Sequence, residues 1–299
     1  MPTGRKRLPD AESAYSAHVR QILSRIHGRF HSAWMPDHFM NDQEPVPEAL
    51  LTLSYFAGQF PQLAWGTAVL GQSYRNPALL AKMSATLQHQ SGGRFILGIG
   101  AGWKEDEYRA YNYPFPPARE RIAQMTETIQ ICRAMWDPAR KTASFQGEYY
   151  QISDAVCQPK PAPPPPIMIG GGGEKFTLRA VAEHGDWWNL PGATPEQFIR
   201  KKGVLETHCR AVGRDMETIR LTWMGVVCIA ENSTKAKALL ADYPLWPGDT
   251  PLLGTPAAIR QQLQAYIDGG IDYFILSFAD EPQKKGLDLF LEEVLPYFR

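Results

Sequence analysis

The stretch Gly92–Pro117, GGRFILGIGAGWKEDEYRAYNYPFPP, carries the fold in miniature. Phe95-Ile96-Leu97-Gly98-Ile99 is an unbroken run with no polar alternation, which predicts a strand over 94–100 that is buried on both faces. It ends in glycines, and a charged helix over 103–111 follows at once. A strand hidden on both faces belongs to a parallel sheet covered by helices. Glycines at the point where it leaves the core offer bare backbone there, open either to close packing or to a ligand.

Working outward, residues 76–93 read as a helix, with Pro77 in its first turn and paired glycines at its stop. Residues 118–136 form another, with Ile122, Met125, Ile129, Cys132 and Trp136 at helical spacing. Toward the N-terminus come helix 14–28 (Val19, Ile22, Leu23 and Ile26 on one face), strand 31–36, helix 47–58 and strand 63–70. Toward the C-terminus, 137–166 is an irregular connection; Pro163 to Pro166 exclude helix or central strand. Then come strand 167–169 with its glycine loop, helix 174–185, strand 186–190, helix 195–212 and strand 219–230. Helix 255–270, with Thr255 as N-cap and Pro256 behind it, strand 271–278 and helix 285–298 finish the chain. Strands alternating with helices predict a parallel sheet with crossover helices. Seven strands are read, whereas a closed (β/α)8 barrel has eight. The eighth would precede helix 14–28, where residues 1–13 are polar.

Bulk composition excludes other classes. In 299 residues, Lys+Arg and Asp+Glu both number 31, so the basic surplus of a nucleic-acid binder is lacking. Apolar runs fall well short of the ~20 residues that cross a bilayer, and the basic N-terminus lacks a signal peptide's apolar stretch. The four cysteines are scattered, which supports neither a zinc site nor a disulfide framework. The expectation is a cytoplasmic protein that takes a small-molecule substrate.

Sites in such barrels form at the C-terminal ends of the strands. Those ends deliver Asp37-His38, Gly71 to Tyr74, Ala101-Gly102-Trp103, Gly170-Gly171-Gly172-Gly173, Asn189 and Ser277. The set contains no carboxylate pair, no paired cysteine nucleophile and no metal cluster. Four glycines opening a helix leave N–H groups at the positive end of its dipole, which reads as a phosphate site. His38 at a strand end is a candidate acid–base group. Glu105, Asp106 and Glu107 fall in a helix's first turn, where acids favour the dipole, and that reading is taken for all three.

These motifs resemble the luciferase-like flavin and deazaflavin oxidoreductase superfamily. Residues 75–136 resemble its signature region, 164–192 (PPPIMIGGGGEKFTLRAVAEHGDWWNLPG) its second signature, and 254–278 its closing βα unit. The resemblance implies one domain over 1–299, a (β/α)8 TIM-type barrel with an insertion around 137–166, commonly dimeric. The cofactor would lie across the mouth: coenzyme F-420, or FMN as the alternative. Gly171, Gly172 and Gly173, with Gly170, would hold its phosphate. Ala68-Val69 matches a non-prolyl cis peptide that presses on the ring. His38 would lie beside the redox ring as the catalytic residue, Gly100, Gly102 and Trp103 would wall it, and Asn189 would meet its polar edge.

Two departures stand out. The first strand is atypical or missing, and Trp103 stands near where several deazaflavin relatives carry a catalytic Glu, which argues against sugar-phosphate dehydrogenase chemistry. Three functions follow: an F-420-dependent oxidoreductase moving a hydride to or from a small organic substrate; an FMN-dependent monooxygenase using reduced FMN and oxygen; and a non-catalytic barrel that has lost its first strand.

Overall fold

The apolar runs become strands of one parallel sheet in a computed structural model of the chain, which describes residues 11–41, 46–243, 245, 248–281 and 283–298. The order is α1 (Ala11–Ile26), β1 (Ser32–Met35), α2 (Ala49–Ala57), β2 (Ala64–Thr67), β3 (Leu70–Gly71), α3 (Pro77–Gln90), β4 (Phe95–Gly100), α4 (Glu105–Ala110), α5 (Ala118–Trp136), β5 (Ala143–Gln146) and β6 (Gln151–Ala155). It continues with β7 (Ile167–Gly170), α6 (Thr177–His184), β8 (Trp187–Pro191), α7 (Pro195–Ala211), β9 (Arg220–Ile229), α8 (Ser233–Ala241), β10 (Leu252–Gly254), α9 (Pro256–Asp268), β11 (Tyr273–Phe278) and α10 (Lys285–Glu293). Strands pair in the order β1-β2-β4-β7-β8-β9-β10, with β3 beside β4 and β11 beside β9.

The sheet curls so that its two ends face one another. Among the described residues no backbone ladder joins β11 to β1, so the closed eight-stranded ring is not formed by them. Side chains meet there instead: Tyr273 Oη donates to Ser32 Oγ at 2.5 Å, and the rings of Trp34 and Tyr273 lie 6.1 Å apart. The expected position of the atypical or missing first strand precedes α1 and falls mostly on residues 1–10, outside the described residues.

Every residue of β4 is buried, as its unbroken apolar run requires. Its side chains divide by the pleat. Phe95, Leu97 and Ile99 join the layer between sheet and helices, while Ile96 joins an inner cluster with Trp34, Met168, Trp187 and Ile275. The expected face of α1 lies in the outer layer, where Val19 and Leu23 are fully buried. Each such side chain contributes about 1.5–3 kcal/mol. Helix starts use local hydrogen bonds: the Asn76 side chain accepts from Ala78 N and Leu79 N ahead of α3, and Thr255 caps α9.

Three expectations change. The strand expected over 63–70 is two pieces, β2 and β3, split at a cis Ala68–Val69 peptide. The connection expected to be irregular over 137–166 contains an antiparallel hairpin, β5–β6. The helix expected from residue 174 starts at Thr177, so the glycine loop meets it through a turn.

Candidate active site

A cavity of about 1380 Å³ opens at the C-terminal ends of the strands. Its floor is aromatic. Trp34 and Trp187 lie 6.2 Å apart, and Trp187 and Tyr273 4.9 Å. His38, Ala68, Val69, Gly100, Gly102, Trp103, Gly170, Gly171 and Asn189 all line it; Gly172 and Gly173 lie beyond its lining. The cavity also runs along the seam between β1 and β11, past Ile22, Leu276 and Phe290.

The glycines of β4 are explained by protein before any ligand. A Cβ on Gly98 would overlap the Thr67 carbonyl, whose own residue locks the site: Thr67 Oγ1 donates to Gly98 O at 2.7 Å and accepts from Gly98 N at 3.0 Å. A Cβ on Gly100 would come within 2.8 Å of Val69 Cγ2, and one on Gly170 within 2.9 Å of Val69 Cγ1. The Val69 side chain is therefore seated between two glycine-ended strands, in the cavity wall. Gly102, at φ +78°, makes room for the Tyr108 hydroxyl.

His38 follows β1 and is held from a distant helix. Its Nδ1 lies 3.1 Å from Glu107 Oε2 on α4. Glu107 is fully buried and also accepts from Phe39 N (2.7 Å), Met40 N (3.0 Å) and Tyr74 Oη (2.8 Å). Burial alone would raise its carboxyl, but the His38, Met40 and Tyr74 hydrogen bonds outweigh that and bring it down to about 2. An ionised carboxylate only accepts, so His38 Nδ1 carries a hydrogen and Nε2 is the basic atom. The dipole reading of Glu107 is thus corrected: it is buried and holds His38 and the loop after β1. Glu105 and Asp106 remain on the helix surface.

Asp37, beside His38, is structural. Its buried carboxylate takes a two-pronged bond from Arg75, Nη1–Oδ2 and Nη2–Oδ1 both 2.8 Å, and Gly71 N donates to it at 3.1 Å. Arg75 also pairs with Glu48, tying the loop after β1 to the start of α2.

At the glycine loop, Gly171 N donates to Asn189 O at 2.9 Å, so that N–H is committed to the fold. The N–H groups of Gly172 and Gly173 carry no partner among the described residues. Lys175 Nζ sits 5.3 Å over the Phe176 ring and the Arg119 guanidinium 5.9 Å from it. Arg121 lines the cavity, stacks 3.8 Å over Phe115 and bonds Pro116 O. This end suits an anion. Asn189 is buried and donates from Nδ2 to Thr222 Oγ1 at 2.9 Å. Trp103 is half exposed at the lip, its ring 5.8 Å from that of His38 and nearly perpendicular to it.

Glu281, after β11, is a lining residue that the sequence reading missed. Burial raises its carboxyl to about 7, neighbouring Asp280 adds to that, and Lys284 opposes it. A folded-state value above the ordinary 4.5 means that stability present below about pH 4.5 is lost as pH rises through 7. Glu281→Gln should therefore flatten the fall in melting temperature between pH 5 and 8. Wild-type slope in that variant would show that Glu281 is ionised throughout.

A curled, mostly parallel sheet covered by helices, with a deep cavity at its strand ends, defines an α/β protein of the TIM-barrel type. Residues 9–251 match the luciferase-like monooxygenase family, and the chain belongs to it. Similar curated proteins include the F-420-dependent glucose-6-phosphate dehydrogenase of Segniliparus rotundus, 32% identical over 93% of this chain and 92% of that one. That of Kineococcus radiotolerans is 29% identical over 90% and 88%. An F-420-dependent secondary alcohol dehydrogenase, solved in complex with an F-420–acetone adduct, shares the fold at TM-score 0.84 and 20% identity, covering 97% of this chain and 96% of that chain.

Proposed function

We propose that the protein is a deazaflavin-dependent oxidoreductase that binds F-420 across the cavity, its phosphate at Gly170–Gly173 and its ring against Val69, Gly100 and Trp103. The observation that carries this is the His38–Glu107 pair set beside a glycine-walled cavity of this size. The names of the curated relatives support the choice of cofactor. When bound, the deazaflavin supplies two-electron hydride chemistry at its ring. The chain supplies the rest. The N–H groups of Gly172 and Gly173 and the cations Lys175 and Arg119 meet the phosphate end. Val69 and the aromatic floor fix how deep the ring sits. Glu107 holds the His38 ring so that Nε2 can take or return a substrate proton.

We read the chain as one domain acting in the cytoplasm as a homodimer, with exposed Leu51, Tyr55 and Leu79 on α2 and α3 as candidate contacts. No helix among the described residues is long and apolar enough to cross a membrane.

Fluorescence titration tests the cofactor. Micromolar binding of F-420 with none for FMN is the expected result; the reverse favours the monooxygenase, and binding of neither leaves the non-catalytic barrel. Gly172→Asp should weaken F-420 at least about tenfold by placing like charges together, without unfolding the chain. A Cβ at Gly172 meets no backbone, only the side-chain ends Leu190 Cδ1 at 2.6 Å and Lys201 Cε at 3.8 Å. Undiminished affinity there would move the phosphate elsewhere.

A further inference from the structure

The cavity does not stop at the strand ends. Its volume, about 1380 Å³, exceeds the ~300–1,000 Å³ of ordinary ligand pockets, and it continues along the seam between β1 and β11. Phe30 and His31, just before β1, line it, as do Gly270 and Asp272, just before β11. In a parallel sheet those positions lie at the end opposite to His38 and Trp103. The cavity therefore runs the length of β11, whose six residues at ~3.3 Å each span about 20 Å. Successive residues of a strand point to opposite faces, yet Ile275 of the inner cluster and Leu276 of the outer layer both line it. It thus follows the free edge of β11 and not one face of the sheet.

The seam has its own shape and chemistry. The two strands bound it on either side, and α1 and α10 cover it with Ile22, Leu23, Leu287 and Phe290. Near its lower end the gap is spanned by the Tyr273–Ser32 hydrogen bond, 2.5 Å, and the Trp34–Tyr273 ring contact, 6.1 Å. Phe274, Leu276 and Leu295 remain partly exposed to it. Among the described lining residues, the charged groups along β11 are Asp272 below and Glu281 above, with none between them. Covering these apolar side chains favours an apolar ligand, whereas a charged group would lose its water with no partner in return. A ring or a branched body would have to part the two strands; an unbranched chain would not. A passage of ~20 Å takes an extended chain of roughly twelve to sixteen carbons. We propose that the seam binds the unbranched hydrocarbon tail of the substrate, whose polar head lies at His38. The place of the head rests on the deazaflavin reading; the tunnel for the tail does not.

The probes are 1-hexanol, 1-octanol, 1-decanol and 1-dodecanol, titrated by calorimetry into the protein before and after F-420 is bound. Affinity should rise about three- to fourfold per added methylene through 1-dodecanol, as steady burial in an apolar passage requires. The branched isomer 2-butyl-1-octanol should bind at least about tenfold more weakly than 1-dodecanol. Leu276→Trp on β11 and Ala33→Leu on β1 narrow the passage from opposite sides. Each should weaken 1-dodecanol at least about tenfold and 1-hexanol less than about twofold, with the melting temperature showing that the variant is folded. A series that levels off at 1-octanol, a branched isomer that binds as well as the linear one, or a folded variant that keeps its 1-dodecanol affinity overturns the proposal. So does a flat series together with a changed oligomeric state in Leu276→Trp, which gives the seam to a second copy of the chain. If F-420 fails to bind while the series holds, the cofactor reading falls and the tunnel stands.

Discussion

Glu107→Gln is expected to lower the melting temperature by about 5–10 °C at pH 7, equivalent to about 2–4 kcal/mol for a buried, hydrogen-bonded carboxylate. Four donors converge on Glu107: two backbone N–H groups on Oε1, and Tyr74 Oη and His38 Nδ1 on Oε2. A glutamine can keep the backbone pair on its oxygen. Its NH2 then faces the other two, which must stop donating. Tyr74 can turn its hydroxyl, but His38 must move its hydrogen from Nδ1 to Nε2, which removes the basic atom from the cavity side. The variant is therefore expected to lose turnover as well as stability. The pH dependence separates this from a packing defect. Glu107 sits at about 2 against an ordinary 4.5, a difference of ~3.5 kcal/mol at ~1.4 kcal/mol per unit. That stability is present above pH 4.5 and lost as pH falls through 2, so wild type should weaken steeply in that window and the glutamine variant should not. Equal acid slopes in chemical denaturation at pH 2.5–5 would sink the assignment.

The reason Glu107 escaped the sequence reading is distance along the chain. Its partners lie 67, 68 and 69 residues away on the loop after β1, and 33 away at Tyr74. Three consecutive acids at a helix start have an adequate local explanation, and for two of them it holds. The helical period offered no clear clue: Tyr111, four residues on from Glu107, packs on Phe39 with ring centres 5.0 Å apart but stays half exposed. Most strands were legible because they are apolar runs, several of them bounded by glycine or proline; the short β10 was not read. Strand ends pointed to His38 and Asn189, which line the cavity, whereas Val69 came only from the family resemblance. The β5–β6 hairpin was not legible. Its strands are short and largely exposed, with no apolar run to announce them.

The glycines of the opening stretch show where pattern and cause diverge. Their pattern alone is open to close packing or to a ligand against bare backbone. The structure gives most of that room to protein: the Thr67 carbonyl at Gly98, Val69 at Gly100 and Tyr108 at Gly102. What reaches the cavity is a wall shaped by those contacts. A substitution such as Gly98→Ala would therefore act first on the β2–β4 joint and only then on any ligand.

His38→Ala should produce the largest loss of activity, about 10²–10⁴ in kcat, the range for removing a placed acid–base group. Cofactor affinity should stay within about threefold, because the phosphate end of the cavity is built from other elements. Stability should fall by only about 1 kcal/mol, since Glu107 loses one of four hydrogen bonds. If Glu107 acts on the reaction through His38, its contribution vanishes once His38 is gone. The double variant His38→Ala, Glu107→Gln should then turn over no more slowly than His38→Ala alone, and its stability loss should fall short of the sum, because the two residues share one hydrogen bond. Independent, multiplying losses of kcat would mean that Glu107 reaches the substrate by another route. Normal turnover in His38→Ala would remove His38 from the mechanism and leave the pair a purely structural tie between the loop after β1 and α4.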